Sequence, residues 1–213
     1  MNDAQGSDVG NLLRRGWRVA RWPLGILVVA YIALLVWRAP SYMSEQKSKE
    51  AVAFIQSRHL TLADVDGKHL PPPPDPKLVD ATVEGIDANQ NGIRDDVELA
   101  IFKKYPNSPY TRAAELQYAM AEQMFLDGVR NSEAWAATAI QDSRAYACVS
   151  ESYSRMNAEV HGAVIDQRIN EVKDLVLNTQ SRKSEKNSAS RYATSVGLPD
   201  RDFCDVDPSN LQN

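Results

Sequence analysis

Twelve residues carry the clearest chemistry in this chain: Asp87-Ala-Asn89-Gln-Asn91-Gly92-Ile93-Arg94-Asp95-Asp96-Val97-Glu98. With Asp87 as position 1, oxygen-bearing side chains stand at positions 1, 3, 5, 9 and 12, and glycine stands at 6. One short loop with that spacing can wrap a single hard cation, since calcium takes six to eight oxygen ligands and the chain must turn sharply at its middle. In this reading Asp87, Asn89 and Asn91 each give one oxygen, Ile93 its carbonyl, Asp95 a direct or water-bridged contact, and Glu98 two. Gly92 permits the turn. Asparagines at positions 3 and 5 lower the ligand charge, which predicts weak binding on the order of 10⁻⁴ to 10⁻³ M. A blander reading stays open, with Asn91-Gly92 as a tight turn and Asp95, Asp96 and Glu98 favouring a helix N-terminus through its dipole. It leaves the alternation of Asp87, Asn89 and Asn91 unexplained.

Over these residues, and only these, the chain resembles the EF-hand calcium loop. Two departures make it more similar to the lone calcium loops of bacterial envelope proteins, dockerins and thrombospondin type 3 repeats. The aliphatic residue is at position 7 (Ile93) while position 8 is Arg94, and no clear helix enters between Pro76 and Gly85. The resemblance implies a calcium ion and supplies no activity. A structural ion is expected in preference to a sensor, because sensors pair two hands and a single hand is read here.

Other chemistry is sparse. Cys148 and Cys204 are expected to form a disulfide if this part of the chain is exported, closing a loop of about 56 residues and adding roughly 4 kcal/mol on the chain-entropy model; two free thiols are the alternative in a reducing compartment. His59, His69 and His161 stand apart, without metal-ligand or nucleophile spacing. Ser44-Glu-Gln-Lys47 matches a Ser-x-x-Lys pattern but lacks its companion motifs. Asp142 interrupts an apolar register and is expected to be a partnered core residue, with a functional carboxylate as second reading.

These groups need a frame. Arg14, Arg15, Arg18 and Arg21 precede an uncharged run from Trp22 to Trp37, with Trp17, Trp22 and Trp37 near its two ends. Sixteen helical residues rise roughly 24 Å, close to the ~30 Å hydrocarbon core, and flanking arginines can snorkel. A single-pass membrane anchor over 22–38 follows, with a basic cytoplasmic arm at 1–21 and the remainder outside the cytosol. A cleaved signal peptide and a buried core helix compete with it; no small-x-small cleavage site follows the run.

Beyond the anchor, residues 39–70 read as a juxtamembrane helix carrying Met43, Ala51, Phe54 and Ile55. Residues 71–86 read as a proline-rich linker, since Pro71-Pro-Pro-Pro excludes helix. The loop 87–98 opens a helical bundle over 95–196. Its first helix starts near Asp95, with Val97 and Ile101 on one face and an end before Pro106. A second begins after Ser108-Pro109, Ser108 as its cap, with Ala113, Leu116, Met120 and Met124 at 3 and 4 spacing. A third opens at Asn131-Ser132, its apolar register being Trp135, Ala139, Tyr146, Val149, Tyr153 and Met156. A fourth covers about Glu159 to Thr179. Ser181 to Ser190 reads as a linker or frayed end, and 197–213 as a tail that is disordered unless anchored. The fold class is therefore all-α, a single transmembrane helix followed by a small helical bundle with one calcium loop.

Charge supports this division. Of 24 basic and 28 acidic residues, five and two fall in residues 1–38, which leaves 19 basic against 26 acidic beyond. An acidic domain argues against nucleic acid as partner. The expected protein is an inner-membrane, periplasm-facing binding or scaffold module with an envelope protein as partner, and not an enzyme. An envelope enzyme with an unrecognised carboxylate site and a calcium-responsive regulator are the alternatives.

Overall fold

The computed structural model describes residues 6–153, 158–197, 199 and 202–211. The side chains of Arg14, Arg15, Trp17, Arg18 and Arg21, residue Met156 and parts of the tail lie outside that description. Among the described residues there are seven α-helices and no strand. The helices are α1 (Gly6–Ser57), α2 (Leu62–Val65), α3 (Asp95–Lys104), α4 (Pro109–Met124), α5 (Ser132–Glu151), α6 (Ala158–Val176) and α7 (Gln180–Ala189). Two compact units divide the chain, Met1–Lys49 and Glu50–Asn213.

α1 runs from the first unit into the start of the second and contains the stretch Gly25–Ser57, which is long and apolar enough to cross a membrane and is exposed throughout its apolar window. The anchor and the juxtamembrane helix, read as separate elements, form one helix through Pro23 and Pro40.

The second unit is built around α4. Every residue from Arg112 to Leu126 is buried, so α4 has no solvent face. α2, α3, α5 and α6 all pack on it. Its polar residues would read as an exposed stripe, yet each has a partner inside, as burial of polar groups requires. Glu115 pairs with Arg168 of α6 at 2.7 Å, and Arg112 donates to the Val65 carbonyl at 2.7 Å. Gln117 Nε2 donates to the Phe203 carbonyl at 2.7 Å, and Glu122 accepts from Tyr118 Oη at 3.0 Å and from Lys186.

Local signals set the helix starts. Asp95, Asp96 and Glu98 open α3 while Lys103 and Lys104 close it, complementing the dipole. Pro109 stands at the start of α4, but the Ser108 side chain makes no cap bond. Asn131 caps α5, its Oδ1 accepting from Ala134 N at 2.8 Å. The expected apolar register holds in part: Ala139 and Val149 are buried, but Tyr146 and, just past the helix end, Tyr153 are exposed and Trp135 is half-buried, while Ala134, Ala137, Ala145 and Cys148 also face the core. Nor is 181–190 a linker; α7 occupies it, with the Thr179 hydroxyl accepting from Arg182 N at 3.3 Å.

The tail is anchored. Cys148 and Cys204 form a disulfide, with Cα atoms 5.0 Å apart. Val206 is buried in the core, and Asp205 N donates to Gln117 Oε1 at 2.9 Å. The Asp205 carboxylate accepts from Leu60 N, His59 Nδ1 and Arg144 Nη2, each at 3.0 Å.

Candidate functional site

No helix enters the loop 87–98; residues 77–84 form turns and bends. Arg182 of α7, wholly buried, holds them in place. It donates to the carbonyls of Val79 at 2.7 Å and Val83 at 2.9 Å, and it also binds Asp80 and Asn178. Gly85 follows with φ +74°, and a Cβ there would lie 2.2 Å from Arg94 Cδ. Only glycine fits both demands.

The loop then closes on itself. Asp87 accepts from Asn91 N at 3.1 Å and Gly92 N at 2.8 Å. Asp95 Oδ1 accepts from Ala88 N at 2.9 Å, and Asp95 N donates to the Ile86 carbonyl at 2.8 Å. The side chains of Asn89 and Asn91 meet Glu98, their Nδ2 atoms lying 3.1 and 3.0 Å from Glu98 Oε2. Positions 3, 5 and 12 therefore converge, and positions 1 and 9 brace the backbone around them. Ile93 is 1% exposed and anchors the loop to the core through its side chain.

The electrostatics of this cluster are unfavourable. Burial pushes the Glu98 carboxyl up to about 7, the Asn89 and Asn91 amides oppose this, and Asp95 and Asp87 add to it. Asp95 is raised as well, chiefly by burial, with the charges of Asp87 and Asp96 contributing. Its second oxygen, Oδ2, is buried without a partner.

Two features of the loop would suit a cation: its carboxylates raise one another's protonation, and one buried acceptor lacks a donor. Against that, the Asn89 and Asn91 amides turn N–H toward Glu98, and Asn91 Oδ1 already accepts from Ile93 N at 2.9 Å. The donor set is mixed: among the described residues no three His, Cys, Asp or Glu side chains form a metal-holding group.

Two residues outside the expected ligand set turn out to position the loop. Arg94, at position 8, is 1% exposed. It grips Asp96 through Nε at 2.6 Å and Nη2 at 2.9 Å, and donates to the carbonyls of Leu175 at 2.9 Å and Val176 at 3.1 Å. Arg182 is the other. The lone signal for Arg94 is that a charged residue takes the place where the EF-hand pattern has an aliphatic one. For Arg182 there is none, since it lies in a polar run.

Asp142 is not a fully partnered core residue. Its Oδ1 is buried and unpaired. Burial, then repulsion from Glu122, pushes its carboxyl up to about 6, against the pull of Lys186 and Lys173. No protein-family model, curated protein or solved structure matches the chain.

Proposed function

We propose that the chain is a membrane-anchored, periplasm-facing helical protein in which one calcium ion in the loop Asp87–Glu98 fastens the start of the bundle, and that the domain acts as a binding or scaffold module. Side chains of Asp87, Asn89, Asn91, Asp95 and Glu98 and the Ile93 carbonyl would hold the ion. Its role is to neutralise three mutually repelling carboxylates at the start of α3. The carrying observation is Asp95 Oδ2, a buried carboxylate oxygen with no donor in a loop of calcium spacing. Such an atom costs ~1–3 kcal/mol unless something outside the protein satisfies it.

The disulfide supports a compartment outside the cytosol, where such bonds persist. The apolar stretch of α1 supports a single anchor, and the basic residues preceding it support a cytoplasmic N-terminus. An envelope enzyme has weaker support. Glu122, the wholly buried carboxylate that acts on Asp142, is already engaged by Tyr118 and Lys186.

The test is thermal unfolding of the full chain in detergent micelles, with calcium and with chelator. The midpoint is expected to rise by several degrees with millimolar calcium, and the rise to vanish in Asp87→Ala and Glu98→Ala. An identical midpoint under both conditions would refute the reading.

A further inference from the structure

Beside the loop, within the second unit, lies a cleft of about 310 Å³ whose walls include Phe54, Arg58, Glu84, Asp87, Gln123 and Asp127. That volume is at the lower end for small-ligand sites.

Gln123 is the informative residue. It is 4% exposed, and both protons of its Nε2 are used, one toward the Glu84 carbonyl at 3.0 Å and one toward Asp127 Oδ1 at 3.2 Å. Both partners are acceptors, so the amide cannot be turned over: the exchanged orientation would set oxygen against oxygen. Its Oε1 is therefore fixed as an acceptor, and it is buried without a donor.

The charge around it points the same way. Glu84, Asp87 and Asp127 bring three carboxylates to the cleft. Arg58 answers Asp127 at 2.6 Å while lying over the Phe54 ring at 4.6 Å. Arg94 also lines the wall, but its charge is met by Asp96. Neither Glu84 nor Asp87 has an ion-pair partner among the described residues. A cleft with an unmet acceptor in its wall and excess negative charge suits a cation that carries N–H donors, and it disfavours anions and donor-free cations.

We infer that this cleft binds a small primary alkylammonium ligand, its N–H groups donating to Gln123 Oε1 and its charge facing Glu84 and Asp127. The inference does not require the loop ion, because Gln123, Glu84 and Asp127 are not loop residues; Asp87 is the one residue on which the cleft's excess charge and the loop both draw.

The test is calorimetric titration of the full chain in detergent micelles with 1,4-diaminobutane, and with tetramethylammonium as a cation without N–H. Saturable one-to-one binding of the diamine is expected, with and without calcium, and none of tetramethylammonium. Affinity should fall about tenfold in Gln123→Met and about threefold in Glu84→Gln. Absence of saturable diamine binding, equal binding of tetramethylammonium, or loss of binding when calcium is added would overturn the inference; the last would put the amine in the loop. If Gln123→Met fails to fold, Glu84→Gln decides, since Glu84 is exposed, and unchanged affinity there overturns it as well.

Discussion

Arg94 Nη1 donates to the Val176 carbonyl across 3.1 Å, joining position 8 of the acidic loop to the last turn of α6. The bond satisfies a carbonyl that a helix C-terminus leaves without an internal partner, and Arg94 does the same for Leu175. The guanidinium fork serves both carbonyls and Asp96 at once, which an ammonium cannot do. Arg94→Met should therefore destabilise the domain by about 2–3 kcal/mol, and Arg94→Lys should recover less than half of that. Urea unfolding at fixed calcium measures it; a loss below about 0.5 kcal/mol in Arg94→Met would show the contact to be incidental.

Gly85 is the companion of Arg94. A methyl group there meets Arg94 Cδ at 2.2 Å, at a φ of +74° that L side chains rarely adopt. Gly85→Ala is expected to cost more than about 2 kcal/mol, from backbone strain and displacement of Arg94 together. The turns at 77–84 should then be cut faster by protease, because Arg182 can no longer hold them against a shifted Gly85. Unchanged proteolysis at those turns would separate Gly85 from the Arg182 clamp.

Why part of this was legible and part was not follows from the residues. α3 and α6 could be read because Val97 and Ile101, and Ile165, Ile169 and Val172, are apolar at helical spacing and are buried at those positions. In α4 the apolar face of Ala113, Leu116, Met120 and Met124 is buried as its spacing predicts, but the opposite face is buried as well. Glu115, Glu122 and Gln123 look like a solvent face, and their burial depends on Arg168, Lys186 and Glu84, which are distant in the chain. Periodicity cannot anticipate such pairings. In α5 the large aromatics drew the register, whereas Ala134, Ala137 and Ala145 occupy the core and Tyr146 is exposed. In the loop, spacing named the residues around Glu98 that converge, and Arg94 shows only as a charge at position 8, whereas Arg182 and Gln123 act through tertiary partners and leave no local pattern.

The tail offers a separate test. The disulfide spans 56 residues of sequence, and beyond it Asp205 ties Leu60, Arg144 and Gln117 together. Reduction should remove about 4 kcal/mol on the chain-entropy account. Because Asp205 binds three elements, the tail is expected to stay docked at low temperature and to release before the bundle unfolds. Hydrogen exchange at Asp205 N, bonded to Gln117 Oε1, reports this. Equal exchange in reduced and oxidised protein would assign the tail's hold to Asp205 alone.

The Glu122–Asp142 pair should make stability depend on pH. Asp142 is pushed up to about 6, first by burial and then by Glu122, while Lys186 and Lys173 oppose the shift. A carboxyl whose folded value lies above its unfolded one favours the fold when protonated. That contribution is complete below about pH 4 and is lost as pH rises through about 6. The wild type should therefore lose stability between pH 4.5 and 7.5 relative to Asp142→Asn, which is neutral throughout. At pH 7.5 the variant is expected to be the more stable of the two by about 1–2 kcal/mol, less than the full conversion of the shift because Asp142 keeps some solvent contact. Urea unfolding of both proteins in chelator at the two pH values isolates this group from the loop ion. If the wild type equals or exceeds the variant at pH 7.5, the carboxylate is stabilised by its lysines in the fold, and the repulsion from Glu122 is not what sets its charge.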